Sequence, residues 1–180
     1  MTNSAAAQKI EPLFSAETIA ARVDALAREI AALKLADPIF VAVLKGSFIF
    51  AADLVRALYR HGLEPDIDFI FLASYRDGTV SSGQVEVLRD VEGELSGRHV
   101  VIVDDILDSG RTLAFAKDLL AQRGARSVRT CVLIDKDVPR AAAIEPDFAG
   151  FRCPNVFVVG YGTDLANRYR ELPFIGKLAS

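Results

Sequence analysis

The chain has 180 residues, 51% apolar and 25% charged, with a net charge of −3. That suits one soluble globular domain with its own core and gives no support to a broad nucleic-acid-binding face. Cys131 and Cys153 lack C-x-x-C or Cys/His ligand spacing, and no apolar run reaches membrane-spanning length, since the run beginning at Phe48 is cut by Asp53.

Residues 1–9 are polar and alanine-rich without the apolar region of a signal peptide, so the protein reads as cytoplasmic, with residues 1–13 a flexible N-terminus. Over 15–33, Ile19, Val23, Leu26, Ile30 and Leu33 step by three and four, the stripe of a helix with Ser15 as N-cap. Pro38 introduces the unbroken apolar run 39–44, a central strand punctuated by Lys45-Gly46-Ser47. A second helix follows over 48–60 and stops at His61-Gly62. Residues 66–73 read as a third strand. The polar segment 74–84 reads as an exposed loop, the place for a mobile lid, and the alternation over 84–88 predicts a half-buried strand.

The run Val100-Val101-Ile102-Val103 leads into Asp104-Asp105-Ile106-Leu107-Asp108-Ser109-Gly110-Arg111-Thr112. An apolar run bounded by turn chemistry predicts a strand buried on both faces, as in a parallel sheet. The helix after it spans 112–122, with Gly124 as its stop. Residues 128–134 are a further buried strand ending in Asp135-Lys136, 148–152 a short edge strand, and 156–159 a last strand broken by Gly160-Tyr161-Gly162. Alternating strands and helices make this a single α/β domain over residues 1–180, a mainly parallel central sheet flanked by helices.

Four of these strands end in polar residues of a useful kind, and in a parallel sheet such ends converge on one edge. Each alone has a bland reading: Lys45 as a surface lysine, Asp135-Lys136 as a solvated loop, Phe157 as strand core. Adjacent acids at a strand end also occur in receiver-type signalling domains, but there near the N-terminus rather than after a hundred residues. No G-x-x-x-x-G-K-[ST] is present, which excludes a Walker A loop. Unpaired amides at the start of the helix after Asp108 suit a phosphate, and two adjacent carboxylates suit the hydroxyls of a ribose or a metal. The segment 104–112 therefore asks for a sugar phosphate.

Three acids spaced as Asp104, Asp105 and Asp108, followed at once by Ser-Gly-Arg-Thr, closely resemble the signature loop of type I phosphoribosyltransferases. Leu44-Lys45-Gly46-Ser47-Phe48, Ser74-Tyr75, Leu133-Ile134-Asp135-Lys136 and Phe157-Val158-Val159-Gly160-Tyr161-Gly162 resemble the hypoxanthine (hypoxanthine-guanine) branch, and residues 164–173 extend the likeness. The resemblance implies the type I phosphoribosyltransferase fold with a mobile hairpin lid at 74–84. It implies purine salvage: Mg2+-dependent transfer of ribose 5-phosphate from phosphoribosyl pyrophosphate (PRPP) to hypoxanthine and guanine, giving IMP or GMP and pyrophosphate.

By resemblance, Asp108 is the general base and the loop of Asp108, Ser109, Gly110, Arg111 and Thr112 binds the 5′-phosphate. Asp104, Asp105 and Ile106 meet the ribose, with Asp104 standing where the family more commonly has Glu. Lys136 donates to the purine 6-oxygen, Phe157 stacks on the base, and Val158 offers main-chain groups to its edge. Lys45, Gly46 and Arg170 hold pyrophosphate, with Arg168 a weaker candidate; Ser74 and Tyr75 close over the reacting centre; Asp104, Asp105 and Asp164 hold magnesium. The peptide bond before Lys45 is implied to be cis. The partners implied are PRPP and a 6-oxopurine base, with no nucleic acid and no membrane, in a homodimer or homotetramer. Alternatives that keep the fold are a xanthine- or guanine-preferring enzyme and a non-catalytic PRPP-sensing regulator that binds RNA.

Overall fold

The computed structural model describes residues 9–77 and 80–178, and the side chains of all of these except 74–77 and 80–84. In chain order the elements are β1 (Ile10–Phe14), α1 (Ala16–Ala31), β2 (Pro38–Leu44), α2 (Phe48–Arg60), β3 (Asp66–Asp77), β4 (Val80–Arg89), β5 (His99–Leu107), α3 (Arg111–Gln122), β6 (Ser127–Lys136), β7 (Phe148–Cys153), β8 (Val158–Val159) and β9 (Ile175–Leu178). Six strands form the central sheet in the order β4-β3-β2-β5-β6-β7. All neighbours in it are parallel except the β3–β4 pair.

Alternate side chains of the central strands supply two cores. Phe40 and Ala42 of β2 with Val101 and Val103 of β5 face α1 and α2. Ile39, Val41 and Val43 with Val100 and Ile102 face the other way, toward α3. A strand buried on both faces has no polar side to show, which is why these runs are continuously apolar. The chain winds from β2 through α2 to β3 on one side, then returns to place β5 on β2's other side. Strand order thus reverses between β2 and β5, the switch point where open α/β sheets bind ligands beyond the strand carboxyl ends.

The helix limits follow the local signals. Ser15 caps α1 by accepting the amide of Thr18 at 3.3 Å. Gly62 (φ +76°) lies just past the end of α2, where a left-handed residue ends a helix without a Cβ clash. On the edge strand β7, Arg22 of α1 donates to the carbonyls of Ala149 (2.7 Å) and Gly150 (3.0 Å), covering main-chain acceptors an edge leaves open. Among the described residues no helix is long and apolar enough to cross a membrane.

Three expectations need correction. Residues 10–13 are not a flexible N-terminus: they belong to β1, which pairs antiparallel with β9, and the Phe14 ring stacks on Phe151 at 4.2 Å between centroids. The partner strand lies at the opposite end of the chain, beyond the reach of local pattern reading. Residues 156–159 do not enter the parallel sheet; only Val158–Val159 is strand, in a second sheet of order β1-β9-β8. The polar segment 74–84 is largely paired backbone, with Arg76 opposite Ser81 and Asp77 opposite Val80 in the β3–β4 hairpin. Ladder hydrogen bonds need no apolar alternation, so a paired but polar stretch reads as loop; residues 78 and 79 lie outside the described residues.

Leu54 is fully buried where α2 meets the sheet, whereas Tyr59 on the same helix is 69% exposed. Leu54→Ala should therefore cost about 2–5 kcal/mol and Tyr59→Ala no more than about 0.5 kcal/mol. Urea unfolding midpoints of the two variants measure the contrast.

Candidate active site

The strand β5 delivers Asp104 and Asp105 to the switch point, and its end delivers Asp108. Asp104 is only 6% exposed. Its Oδ1 accepts the amide of Asp105 at 2.9 Å, and Asp105 Oδ1 accepts the amide of Ile106 at 3.0 Å. Burial pushes the Asp104 carboxyl well above the usual range, and the Asp105 charge pushes it further. Burial raises Asp105 too, opposed by its hydrogen bonds and by the Arg170 charge. The pair thus keeps a proton to higher pH than free carboxylates do.

The loop after β2 rests directly on this pair. A Cβ at residue 46 would stand 1.8 Å from Asp105 Oδ2, so only glycine fits there. The Leu44–Lys45 peptide is cis, and Lys45 Nζ lies 5.7 Å from the centre of the Phe71 ring. From the far side, Gly162 (φ +100°) packs so closely that a Cβ there would come within 2.2 Å of the Gly46 carbonyl oxygen. Arg170 ties this second loop down by donating to the Gly162 carbonyl and pairing with Asp164 Oδ1 at 2.7 Å.

Gly110 (φ +79°) is the N-cap of α3 and offers no side chain to cap it. The crowding that demands glycine here comes from the protein itself rather than from a bound phosphate. A Cβ would stand 2.8 Å from Ile144 Cγ2 and 2.9 Å from the Ala142 carbonyl oxygen. The same connection binds the loop through Ser109, whose carbonyl accepts the amides of Ala141 (2.9 Å) and Ala142 (3.2 Å).

Lys136 closes β6 with its side chain 10% exposed and its Nζ 3.7 Å from Asp108 Oδ2. A cavity of about 580 Å3 brings together Lys45, Gly46, Asp104, Asp105, Ile106, Asp108, Thr112, Lys136, Phe157, Val158, Asp164 and Arg170. Phe157 is 51% exposed at this cavity, against its reading as simple strand core. Ser109, Gly110 and Arg111 belong to the same turn but do not line the cavity, and Arg168 lies outside it, with its guanidinium 5.9 Å from the Tyr169 ring centre. Ser74 and Tyr75 sit on β3, and their side chains lie outside the described residues.

Sequence reasoning missed Thr163, Leu165 and Ala166, which also line the cavity. Thr163 is 2% exposed and donates from Oγ1 to the Gly160 carbonyl at 2.8 Å, closing the turn over 160–163. The glycines at 160 and 162 marked a turn, but nothing local said which side would face the cleft. A slightly larger cavity of about 610 Å3 lies between α1, α2 and residues 171–173. Arg56 pairs with Asp53 within this cavity's own wall and Arg60 with Asp24, and the cavity stands apart from the converging strand ends, so the chemistry belongs to the smaller cleft.

Among the described residues, no group of three or more His, Cys, Asp or Glu side chains comes together to hold a metal. The donors in the cleft are hard carboxylate oxygens. Asp164 already engages Arg170 through Oδ1 and the Asn167 amide through Oδ2 (2.6 Å). Such a set fits a magnesium ion that takes one or two carboxylates and fills its shell with water and substrate oxygens, rather than an all-protein cage.

Comparison with known proteins agrees with this geometry. The phosphoribosyl transferase domain family matches residues 10–165. The bifunctional protein TilS/HprT of Listeria innocua is 44% identical over 92% of this chain, and the chain spans only 25% of that protein's length. The hypoxanthine-guanine phosphoribosyltransferase of Bacillus subtilis is 41% identical, with 92% of this chain and 91% of that protein covered. The crystal structure of a hypoxanthine phosphoribosyltransferase from Staphylococcus aureus superposes with a TM-score of 0.87 at 35% identity, covering 94% of this chain and 91% of that one. The chain therefore belongs to the phosphoribosyltransferase family, in the branch that includes the hypoxanthine-guanine phosphoribosyltransferases.

Proposed function

We propose that the protein salvages purine bases in the cytoplasm, transferring ribose 5-phosphate from PRPP to hypoxanthine and guanine. The observation that carries this reading is the meeting of Lys136 and Asp108, 3.7 Å apart, in one cleft floored by Asp104 and Asp105. A 6-oxopurine whose imidazole proton is on N7 presents the 6-carbonyl oxygen and that ring N–H along one edge. An ammonium and a carboxylate held side by side match that pattern of acceptor and donor, whereas the amino group of adenine offers Lys136 no carbonyl acceptor.

In this reading the 5′-phosphate lies on the turn from Asp108 to Thr112 and the first amides of α3. Asp104 and Asp105 receive the ribose hydroxyls, and Lys45, Gly46 and Arg170 receive pyrophosphate. Phe157 covers the base, and Val158 supplies main-chain groups to its edge. A purine ring nitrogen bonds to the anomeric carbon as the bond from that carbon to pyrophosphate breaks; Asp108 takes the proton released from the base. Asp104, Asp105 and Asp164 would hold magnesium, which when bound offsets the charge of the departing pyrophosphate. Ser74 and Tyr75 on the β3–β4 hairpin serve as the lid over the reacting centre, excluding water. The reading includes a homodimer or homotetramer, supported by the exposed Phe48 of α2 and Ile67 and Phe69 of β3.

Incubation with PRPP, Mg2+ and hypoxanthine should yield IMP and pyrophosphate, adenine should yield no nucleotide, and EDTA should stop the reaction reversibly. Comparing hypoxanthine, guanine and xanthine sets the preference. A folded protein that binds PRPP yet makes no nucleotide from any of the three would be a sensor instead.

Asp108→Asn should lower kcat by roughly 10²–10⁴-fold. Lys136→Ala should raise the hypoxanthine KM by roughly 10–100-fold, the scale of one charge-assisted hydrogen bond. Near-normal turnover in the first variant would remove Asp108 from the mechanism.

The buried acid pair adds a pH dependence. The folded-state pKa of Asp104 lies above its ordinary value of 3.8, so the native state binds more protons than the unfolded chain between the two values. Its contribution to stability therefore falls as pH rises through that window. In the ligand-free protein, Asp104→Asn should gain on wild type in urea midpoint as pH rises from about 4 toward neutrality. A gap that stays constant with pH would contradict this.

A further inference from the structure

The residues that meet the base and the residues that meet phosphate sit on different strands, and the connection from Lys136 to β7 joins them. This connection, residues 137–145, contains no helix or strand, and most of it is half-buried or exposed. It nevertheless carries the Ala141 and Ala142 amides that bind the Ser109 carbonyl, and the Ala142 and Ile144 atoms that crowd Gly110. One flank packs on the phosphate turn. On the other flank a cavity of about 470 Å3 separates the connection from Arg152.

One side chain crosses the connection and holds it. Arg140, 12% exposed, pairs with the carboxylate of Asp135, one residue before Lys136 on β6. It also donates from NH1 to the Ile144 carbonyl at 2.6 Å and reaches Glu145 Oε1 at 2.7 Å. A planar guanidinium alone can serve acceptors on both sides in one fixed geometry; a lysine ammonium cannot hold that fork.

Resting on the proposed reaction, we infer that Arg140 is a positioning residue that locks residues 137–145 into a rigid strut between Lys136 and the phosphate turn. It touches neither substrate. It sets where the Ser109 carbonyl, and with it the turn from Asp108 to Thr112, stands relative to the base-facing lysine.

The test compares wild type with R140M and R140K by steady-state kinetics and by hydrogen exchange at the Ala141 and Ala142 amides. R140M should raise the PRPP KM about tenfold and speed exchange at both amides by a similar factor, with kcat changed less than about threefold. R140K should fall between, since the charge is kept and the fork is lost. A PRPP KM within twofold of wild type, or unchanged exchange at the two amides, overturns the inference. Should R140M not fold, E145A releases one arm of the clasp at a side chain 82% exposed. It should then shift both readouts about twofold to threefold, and no shift overturns the inference. Absence of turnover in wild type sinks the proposed function and the inference with it. Variants that match an active wild type sink the inference alone.

Discussion

The site depends on close contact between two backbone loops above a buried acid pair. Asp105 projects so near the β2–α2 loop that residue 46 has no room for a Cβ, and the Gly46 carbonyl in turn leaves none at residue 162. Three segments far apart in sequence are stacked with main chain as the spacer. Main chain varies little in thickness and brings amides and carbonyls to the cleft wall, so small relative shifts of these loops are excluded. Lys45, Asp105, Thr163 and Arg170 are positioned by that stack.

The reversal of strand order makes the stack possible. Because β3 lies on one side of β2 and β5 on the other, the connections after β2 and β5 leave the sheet toward opposite faces, α2 on one and α3 on the other. A crevice opens between them, and the carboxyl ends of β2 and β5 form its floor. The third wall comes from the small sheet, where β8 leads into the Gly160–Gly162 turn. The Tyr161 hydroxyl donates to Asp53 of α2 at 2.5 Å, fastening that turn to the helix.

Most of this frame was legible because its signals are local. The α2 limits follow from apolar spacing and a glycine beyond the helix, and the continuous runs in β2, β5 and β6 announce strands covered on both faces. What escaped depends on distant partners. β1 and β9 are short, carry Pro12 and Gly176, and become strands only by pairing across the full length of the chain. The outer part of the β3–β4 hairpin is polar in sequence and held by backbone pairing, so it carries no alternation to read. In the site, the strand-end residues were visible as chemistry placed after apolar runs. Thr163 was not, because its placement depends on a turn whose direction is set by contact with Gly46. Arg140 was not either: its neighbours Asp135, Ile144 and Glu145 say nothing by themselves about which carboxylate it will take.

The charges in the cleft are arranged so that ligand exchange replaces hydration as the cost of binding. Lys136 stands by Asp108 and Arg170 by Asp164, and both cations are largely buried. A lone buried cation would be strongly destabilising, and a neighbouring carboxylate offsets part of that penalty in the free protein, from a 60% exposed position in the case of Asp108. An arriving pyrophosphate or purine carbonyl then competes with a neighbouring carboxylate, not with a full water shell. In the proposed reaction Asp108 would take the proton of the base, and Asp164 would help to hold magnesium near pyrophosphate. The Asp104–Asp105 pair retains a proton through burial, opposed at Asp105 by the Arg170 charge. In the proposed reaction a ribose diol or a metal would meet that pair, and its negative charge would then be shared with ligand rather than held unpaired by burial.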